Sequence, residues 1–360
     1  MLNVIYAAIA LGLLVLAHEF GHFLVARLAN VKVLVFSLGF GKKLITFRRG
    51  ETEYAISVFP LGGYVKMLGE SGDDEISEED AHRSYSNKPP LVKMAIAFAG
   101  PFFNVLFAGF LFYLIFVTGY PVLLPKVGDV IKDSPAAQAG LQKGDMIEGI
   151  EGKPVSEWTD LQTTVSSSDV KPLRFSIRRD GKAFDVNITP KESEEQNIFG
   201  ETVNRKMIGV GPSGETLTQR ENLFTALPKA ALRTYHISEL TVLGLVKLIQ
   251  GTISSKNIGG PILILQTAGK TAREGKSTFL NFMAIISINL AIVNVLPIPI
   301  LDGGHILFYA IELIIGRKIP QKTVEIAQRV GVVILVMIMA FAFYNDIARM
   351  WGPGKFFGIF

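Results

Sequence analysis

The chain has 360 residues, of which 49% are apolar, and its mean hydropathy is positive at +0.36. A composition this apolar excludes an ordinary soluble protein, and the length allows several membrane spans together with a water-soluble domain. The 36 basic and 32 acidic residues give a net charge of +4, and no basic run is interleaved with aromatic residues, so we predict no nucleic-acid partner.

The first apolar segment, residues 4–26, is long enough to cross about 30 Å of hydrocarbon as a helix. Near its end lies the sequence HEFGH, in which His18 and His22 are one helical turn apart and can bind one divalent metal ion. Glu19 is placed to take a proton from water. Cysteine is absent from the sequence, so histidine and carboxylate must hold any such metal. The same pattern arises by accident on soluble helices, but here an accident would leave three polar side chains unpaired in lipid.

The connection from residue 27 to residue 93 contains ten Lys or Arg, whereas the residues before His18 contain none. The positive-inside rule therefore predicts a cytoplasmic connection and an extracytoplasmic N-terminus. Residues 31–47 and 53–68 are rich in Val, Ile, Phe and Tyr and are punctuated by Gly, which predicts strands and hairpins. An acidic stretch at residues 70–80 is predicted to be a solvated loop.

A second span is predicted at residues 95–117, and it begins with Gly100, Pro101 and Asn104. Glycine and proline near the start of a span permit a bent or closely packed helix, and Asn104 needs a polar partner in lipid. Helix packing and an active-site role are equally open for Asn104.

Residues 121–190 have the character of a soluble α+β domain, with short strands separated by tight turns. Two strands flank Asp180-Gly181, which predicts a two-residue hairpin. The Gly-Leu-x-x-Gly-Asp pattern at residues 140–145 resembles bacterial PDZ domains. This resemblance implies a domain that reads peptide C-termini or excludes substrates with large outer domains, and a passive folding unit is the alternative.

After this domain, residues 191–215 are polar and predict a linker with a strand at 207–210. Residues 223–253 have apolar residues at helical spacing with charged residues among them. This stretch is too polar to span comfortably, so we predict an amphipathic helix on the outer membrane surface.

The third span, residues 279–300, leads directly into Asp302. Insertion scales assign a cost of about 2.5–3.5 kcal/mol to Asp at the centre of a span, so Asp302 needs a functional reason. The first and third spans run in the same direction, and both motifs lie near the cytoplasmic ends. His18, His22 and Asp302 are therefore predicted at one depth, with a fourth metal position left open, as in catalytic sites. His305 is favoured as a polar residue at the membrane edge over a group beside the metal.

The predicted fold class is a polytopic α-helical membrane protein with about four transmembrane helices, a cytoplasmic-side membrane-associated β region and one extracytoplasmic PDZ domain. Basic residues after the third span predict a cytoplasmic loop, and the fourth span returns the C-terminus to the outside. In chain order the predicted parts are TM1 with the zinc motif (1–30), the β region and acidic loop (31–93), TM2 (94–118), the PDZ domain (121–190), a linker and amphipathic surface helix (191–277), TM3 with the Asp ligand (278–304), a cytoplasmic loop (305–329), TM4 (330–350) and a tail (351–360).

These motifs in this order resemble the site-2 protease family of intramembrane zinc metalloproteases, and within it a single-PDZ form of the bacterial regulator of sigma-E protease group. They are HEFGH at 18–22, Gly-Phe-Gly at 39–41, Gly-Pro-x-x-Asn at 100–104 and Asn-x-x-Pro-x-Pro-x-Leu-Asp-Gly at 294–303. The resemblance implies Zn²⁺ held by His18, His22 and Asp302, with Glu19 as general base. It also matches Asn294 to an asparagine that holds substrate or stabilises the oxyanion, and we predict substrate binding or transition-state support for Asn294, Pro297 and Asn104.

The resemblance further implies hydrolysis of a peptide bond inside the transmembrane segment of single-span membrane proteins, such as anti-sigma factors or signal-peptide remnants. The expected setting is the lipid bilayer of the bacterial inner membrane, with both termini extracytoplasmic and peptide C-termini as partners of the PDZ domain. The alternative is a non-catalytic membrane PDZ scaffold. Glu19 argues against a scaffold, because metal binding alone needs no base.

Overall fold

The structure is a computed structural model that describes residues 2–70 and 76–351. The predicted acidic loop therefore lies partly, and the predicted tail almost wholly, outside the described residues. The chain forms two compact units. We call Phe116–Leu223 the inserted unit, and the residues before and after it form the membrane unit.

The membrane unit begins with a long helix, two long strands and a second long helix. These elements are α1 (Leu2–Leu28), β1 (Val33–Arg49), β2 (Thr52–Met67) and α2 (Pro90–Thr118). Residues 35–38 of β1 pair with residues 53–56 of β2 on one side and with residues 63–66 of β2 on the other. The two strands thus bend back on themselves, as the many glycines predict, and the segment at 63–67 forms an edge.

The edge segment lies beside α1, and the two share a small apolar core with α2. Its buried members are Phe23, Ala26, Val31, Val33, Val65, Met67 and Ile96. Burial of this core fixes the β region against the helix that carries both histidines.

The inserted unit is built from ten short strands and two helices. They are β3 (Tyr120–Leu123), β4 (Val127–Val130), α3 (Pro135–Gln138), β5 (Met146–Ile150), β6 (Lys153–Pro154), α4 (Trp158–Ser167), β7 (Leu173–Arg179), β8 (Lys182–Ile188), β9 (Lys191–Gln196), β10 (Thr202–Met207), β11 (Val210–Pro212) and β12 (Thr216–Gln219). The largest sheet is antiparallel with the order β6-β5-β7-β8. The hairpin predicted at Asp180-Gly181 is present, and φ is positive at both residues (49° and 80°).

The polar stretch predicted as a linker instead completes the inserted unit. β9 pairs with β10, β11 pairs with β4, and β12 pairs with β3. The sequence Lys-Glu-Ser-Glu-Glu-Gln of β9 is exposed at every residue and has no alternation of apolar and polar residues. Its pairing depends on β10 rather than on burial, so periodicity carries no signal for it.

The membrane unit continues with five helices after the inserted unit. They are α5 (Leu223–Ile249), α6 (Pro261–Glu274), α7 (Lys276–Val295), α8 (Asp302–Ile315) and α9 (Gln321–Trp351). Among the described residues, α1, α2, α7 and α9 are long and apolar enough to cross a membrane. Their number and order agree with the four spans predicted from the sequence.

The end of the third predicted span differs from expectation. Helix α7 ends at Val295, and Asp302 is the first residue of the separate helix α8. Helices α8 and α9 together cover residues 305–315 and 321–329 of the predicted loop at 305–329. Pro297 and Pro299 lack the N–H groups that would continue α7, so the chain turns before a new helix begins.

Candidate metal centre

The two histidines of α1 and the first residue of α8 converge on one point. The Nε2 atoms of His18 and His22 are 3.2 Å apart, and Asp302 places Oδ2 3.1 Å from His18 Nε2 and Oδ1 3.5 Å from His22 Nε2. One ligand atom from each residue lies within 4.8 Å of the others. The structure thus brings together the three residues that the sequence predicted as metal ligands.

The hydrogen bond of His22 fixes which of its ring nitrogens carries a proton. Its Nδ1 lies 2.7 Å from the carbonyl oxygen of Ile96, and a carbonyl can only accept. Nδ1 therefore carries the proton, and the lone pair of Nε2 points toward Asp302. This is the arrangement of a metal-binding imidazole with an outer acceptor.

A carboxylate oxygen without a hydrogen-bond partner indicates that His18, His22 and Asp302 fit a zinc ion. Oδ2 of Asp302 is buried and accepts no hydrogen bond within the described part of the chain. Lone pairs on His22 and Asp302 face each other without a proton between them, which is unfavourable unless a cation joins them. Two imidazole nitrogens and one carboxylate oxygen are ligands that Zn²⁺ accepts, with a fourth position left over.

Small residues on the neighbouring elements make room for these imidazoles. A Cβ at Gly100 of α2 would lie 2.4 Å from His22 Nε2 and 2.7 Å from His18 Cε1, and a Cβ at Gly21 would lie 2.4 Å from the Ala99 carbonyl oxygen. Such distances are too short for any side chain. Helices α1 and α2 can therefore approach closely only because both positions are glycine.

Glu19 lies on the edge of the same site, next to the β region. A Cβ at Gly63 would meet Glu19 Cγ at 3.0 Å and the Ser37 carbonyl oxygen at 2.8 Å. Glu19, the three converging side chains and Gly63 line one cavity of about 540 Å³. The side chain of Glu19 and an edge strand thus border the space beside the three converging side chains.

The remaining predicted site residues take different positions. The side-chain amide of Asn294, at the end of α7, lies 3.5 Å from His18 Nε2. Pro297 lies in the turn between α7 and α8, and Asn104 is fully buried against His18 Nδ1 at 3.1 Å. His305 lines the cavity and is tilted against Tyr309, outside the converging set.

Sequence reasoning missed several features that hold the site in place. The carbonyl of Ile96 orients His22, and a backbone acceptor leaves no mark in a sequence. Gly303 and Gly304 allow the turn between α7 and α8 to pack directly against the start of α8. A Cβ at Gly303 would lie 2.2 Å from the carbonyl oxygen of residue 295, and one at Gly304 would lie 2.3 Å from that of residue 298. Two consecutive glycines directly after Asp302 were the feature of the sequence that could have indicated this close packing.

Three converging ligand side chains at the ends of apolar helices, with a carboxylate beside them, are the arrangement typical of a metal-dependent hydrolase of the membrane. The chain belongs to Peptidase family M50, whose model matches residues 6–338. It is thus a zinc-type metalloprotease of the site-2 protease family that acts in the membrane, which excludes the scaffold alternative.

Relatives of this family are similar along nearly their whole length. A protein of Campylobacter jejuni assigned as a zinc metalloprotease is 41% identical over 96% of this chain and 93% of its own length. The regulator of sigma E protease of Salmonella typhimurium is 32% identical over 95% of this chain and 97% of its own length. Among solved structures, the PDZ domain of an SdrC-like protein of Listeria monocytogenes matches 25% of this chain and 85% of its own length, at 22% identity and a TM-score of 0.19.

Proposed function

We propose that the protein hydrolyses a peptide bond within the transmembrane segment of single-span membrane proteins, with one zinc ion held by His18, His22 and Asp302. The observation that carries this proposal is the convergence of their ligand atoms within 4.8 Å. The proposed setting is the bacterial inner membrane, with both termini extracytoplasmic, as the distribution of basic residues favours.

The proposed reaction assigns proton transfer to Glu19. When bound, zinc would supply a Lewis acid that polarises the peptide carbonyl and makes water more acidic. Glu19 takes the proton of the attacking water as the new C–O bond forms, and it gives that proton to the leaving amine as the C–N bond breaks. In this proposal Asn294, whose side-chain amide lies 3.5 Å from His18 Nε2, donates to the carbonyl oxygen of the substrate. Pro297 contributes by shaping the turn that leads to Asp302.

A transmembrane substrate must unwind before attack, because its carbonyls are hydrogen-bonded within the helix. We propose that the unwound segment pairs with the edge segment at residues 63–67. This segment pairs with β1 on one side only among the described residues, and it begins at Gly63 beside Glu19. Pairing along such an edge holds an extended peptide through main-chain hydrogen bonds.

The catalytic proposal is tested by reconstituting the purified protein with a single-span substrate. Wild type is expected to cleave it, cleavage is expected to stop with a zinc chelator and return with added Zn²⁺, and Glu19→Gln is expected to retain zinc but lose cleavage. Cleavage by Glu19→Gln at the wild-type rate would contradict the assignment of the base.

The strand-pairing proposal is tested with proline. Proline at Tyr64 or at Val65 disrupts the main chain of the proposed edge. Because successive N–H groups of a strand point to opposite sides, one of these two prolines removes the donor on the free side and the other removes a donor on the β1 side. Proline at Thr46 is the matched change on the opposite side of the β region. We expect loss of cleavage with retained zinc for the first pair and little change for Thr46→Pro. Unchanged cleavage in all three variants would refute the pairing.

For the inserted unit we propose a PDZ domain that either reads peptide C-termini or excludes substrates with large outer domains. Support comes from the Gly-Leu-x-x-Gly-Asp pattern at 140–145 and from the antiparallel sheet with its two helices.

A further inference from the structure

Asn104 is a fully buried polar residue of α2 whose contacts are only half explained. Its side-chain amide lies 3.1 Å from Nδ1 of His18, whereas the other end of the amide, placed as Oδ1, has no hydrogen-bond partner within the described part of the chain. Its relative exposure is 0%. A buried amide in an apolar helix is costly unless a specific contact compensates for it.

The chemistry of His18 decides which end of the amide faces it. If Nε2 of His18 binds a cation together with Asp302, the ring proton must be on Nδ1, and a proton on Nδ1 needs an acceptor. An amide NH₂ cannot accept. The oxygen and nitrogen of an amide have the same shape, so exchanging the two ends places Oδ1 on His18 Nδ1. The NH₂ group then occupies the position that has no hydrogen-bond partner. The exchange is favourable only because it provides an acceptor for the Nδ1 proton of His18.

We propose that Asn104 is a positioning residue: its Oδ1 accepts the Nδ1 proton of His18 and so directs the Nε2 lone pair toward Asp302 and His22. The inference rests on the metal site of the proposed function. It replaces the substrate-binding role predicted for Asn104, because this side chain is buried and is not among the residues that line the cavity.

The neighbouring histidine supports the same logic. The Nδ1–H group of His22 donates a hydrogen bond to the backbone carbonyl oxygen of Ile96. Residues 96, 100 and 104 lie four apart on one face of α2. Helix α2 thus presents an acceptor to each imidazole, with Gly100 between them. The hydroxyl of Ser287 on α7 donates to the backbone carbonyl oxygen of Asn104 at 2.7 Å and so links α7 to α2 at this level.

The test compares zinc affinity among three variants of the full-length protein in detergent. Asn104→Leu keeps the branched skeleton of the side chain, with somewhat bulkier ends, but has no acceptor. Asn104→Asp keeps an acceptor, and Ser287→Ala removes the adjacent interhelical hydrogen bond without touching His18. Zinc affinity is measured by competition with a chromophoric chelator, and the absorption spectrum of the Co²⁺ form reports the ligand geometry. Thermal unfolding shows that each variant is folded.

We expect Asn104→Leu to lower zinc affinity about 10–100-fold and to change the Co²⁺ spectrum, as for loss of an outer-shell partner. Asn104→Asp and Ser287→Ala should stay close to wild type. Equal affinity of Asn104→Leu and wild type would overturn the positioning role and leave the metal site intact. Equal losses in Asn104→Leu and Ser287→Ala would assign the effect to packing and likewise overturn it. Absence of zinc binding by wild type would instead refute the metal site itself.

Discussion

Gly100 stands opposite both imidazoles at a distance that leaves no room for a methyl group. A Cβ there would lie 2.4 Å from His22 Nε2 and would have to displace one ring or push the helices apart. Leaving out Cβ is therefore part of how the sequence forms the site, in addition to supplying the ligands themselves.

Gly100→Ala is expected to reduce zinc content and cleavage together, by about tenfold or more, because an outer-shell disturbance of that kind misplaces the ligands. Gly109→Ala is the matched control on the same helix, since its Cβ would meet Thr234 Oγ1 at an ordinary 3.5 Å. Zinc content after dialysis, measured by atomic absorption, checks the prediction. Equal zinc in Gly100→Ala and Gly109→Ala would contradict it.

The sequence was sufficient to nominate His18, His22 and Asp302, because each is a polar residue in an apolar run that needs a compensating partner. It could not reveal the acceptor of His22, because that acceptor is the backbone of Ile96, where the side chain is merely apolar. It left Asn104 open between packing and function for a related reason: only the structure places its amide beside a ring nitrogen.

Within the inserted unit, the residue before β5 and the last residue of β7 form an ion pair whose carboxylate is buried. Asp145 is fully buried, and Arg179 donates to both of its oxygens at 2.6 and 2.8 Å. Burial alone would raise the pKa of Asp145, but the hydrogen bonds from Arg179 and from the Gln142 N–H outweigh it, and the pKa lies below its ordinary value. The folded unit therefore binds fewer protons at this carboxyl than the unfolded chain does.

The sign of the pH dependence follows from this lowered pKa. The stabilisation is complete above the unfolded pKa of about 3.9 and is lost as the pH falls through the lower folded value. Wild type should exceed Asp145→Asn in stability at pH 6, and the gap should narrow toward pH 3. Fluorescence of Trp158 during thermal unfolding, in a Trp351→Phe background, reports this unit. A gap that stays constant over this pH range would contradict the linkage.

Strand β11 pairs with β4, and β12 pairs with β3. A deletion that removes the inserted unit must therefore include both strands of each pair. Deleting residues 121–190 takes away β3 and β4 but leaves their partner strands exposed, so we expect aggregation. Replacing residues 120–219 by a short Gly/Ser linker should leave a folded enzyme, because the Glu221 N–H donates to the Phe116 carbonyl oxygen and the two ends meet.

The same replacement tests the proposed role of the unit. If it excludes large substrates, the enzyme lacking 120–219 should cleave membrane proteins with intact outer domains that wild type leaves uncut. Gel analysis of paired long and truncated substrates checks this. Unchanged selectivity would favour a passive folding unit.

On the scale of the whole chain, the last helix is tied to the first through α6. Asp346 of α9 is buried and accepts hydrogen bonds from the backbone N–H groups of Gly260, Ile262 and Leu263 at 2.9–3.1 Å, which caps α6. Arg273 at the other end of α6 donates to Asn3 of α1. Sequence analysis did not detect this tie, because its acceptor and donors are more than 80 residues apart.

Asp346→Ala is therefore expected to lower the unfolding free energy by about 1–3 kcal/mol, since buried N–H groups lose their acceptor. Tyr344→Phe, at an exposed position of the same helix, is the control. Thermal unfolding in detergent compares the two variants. Equal melting temperatures would show that water replaces the carboxylate without cost.

Mutations on α2 should disturb the orientation of the His18 ring more easily than that of the His22 ring. His22 depends on a main-chain oxygen, so a change of side chain at residue 96 leaves the acceptor itself in place, and only the packing of the buried core limits that position. His18, if the assignment of Asn104 holds, depends on one side chain, and a single nucleotide change there suffices to release it. Natural variants that lose metal without losing their fold should therefore concentrate at residues 100 and 104 of α2, whereas changes at residue 96 should act on core packing first.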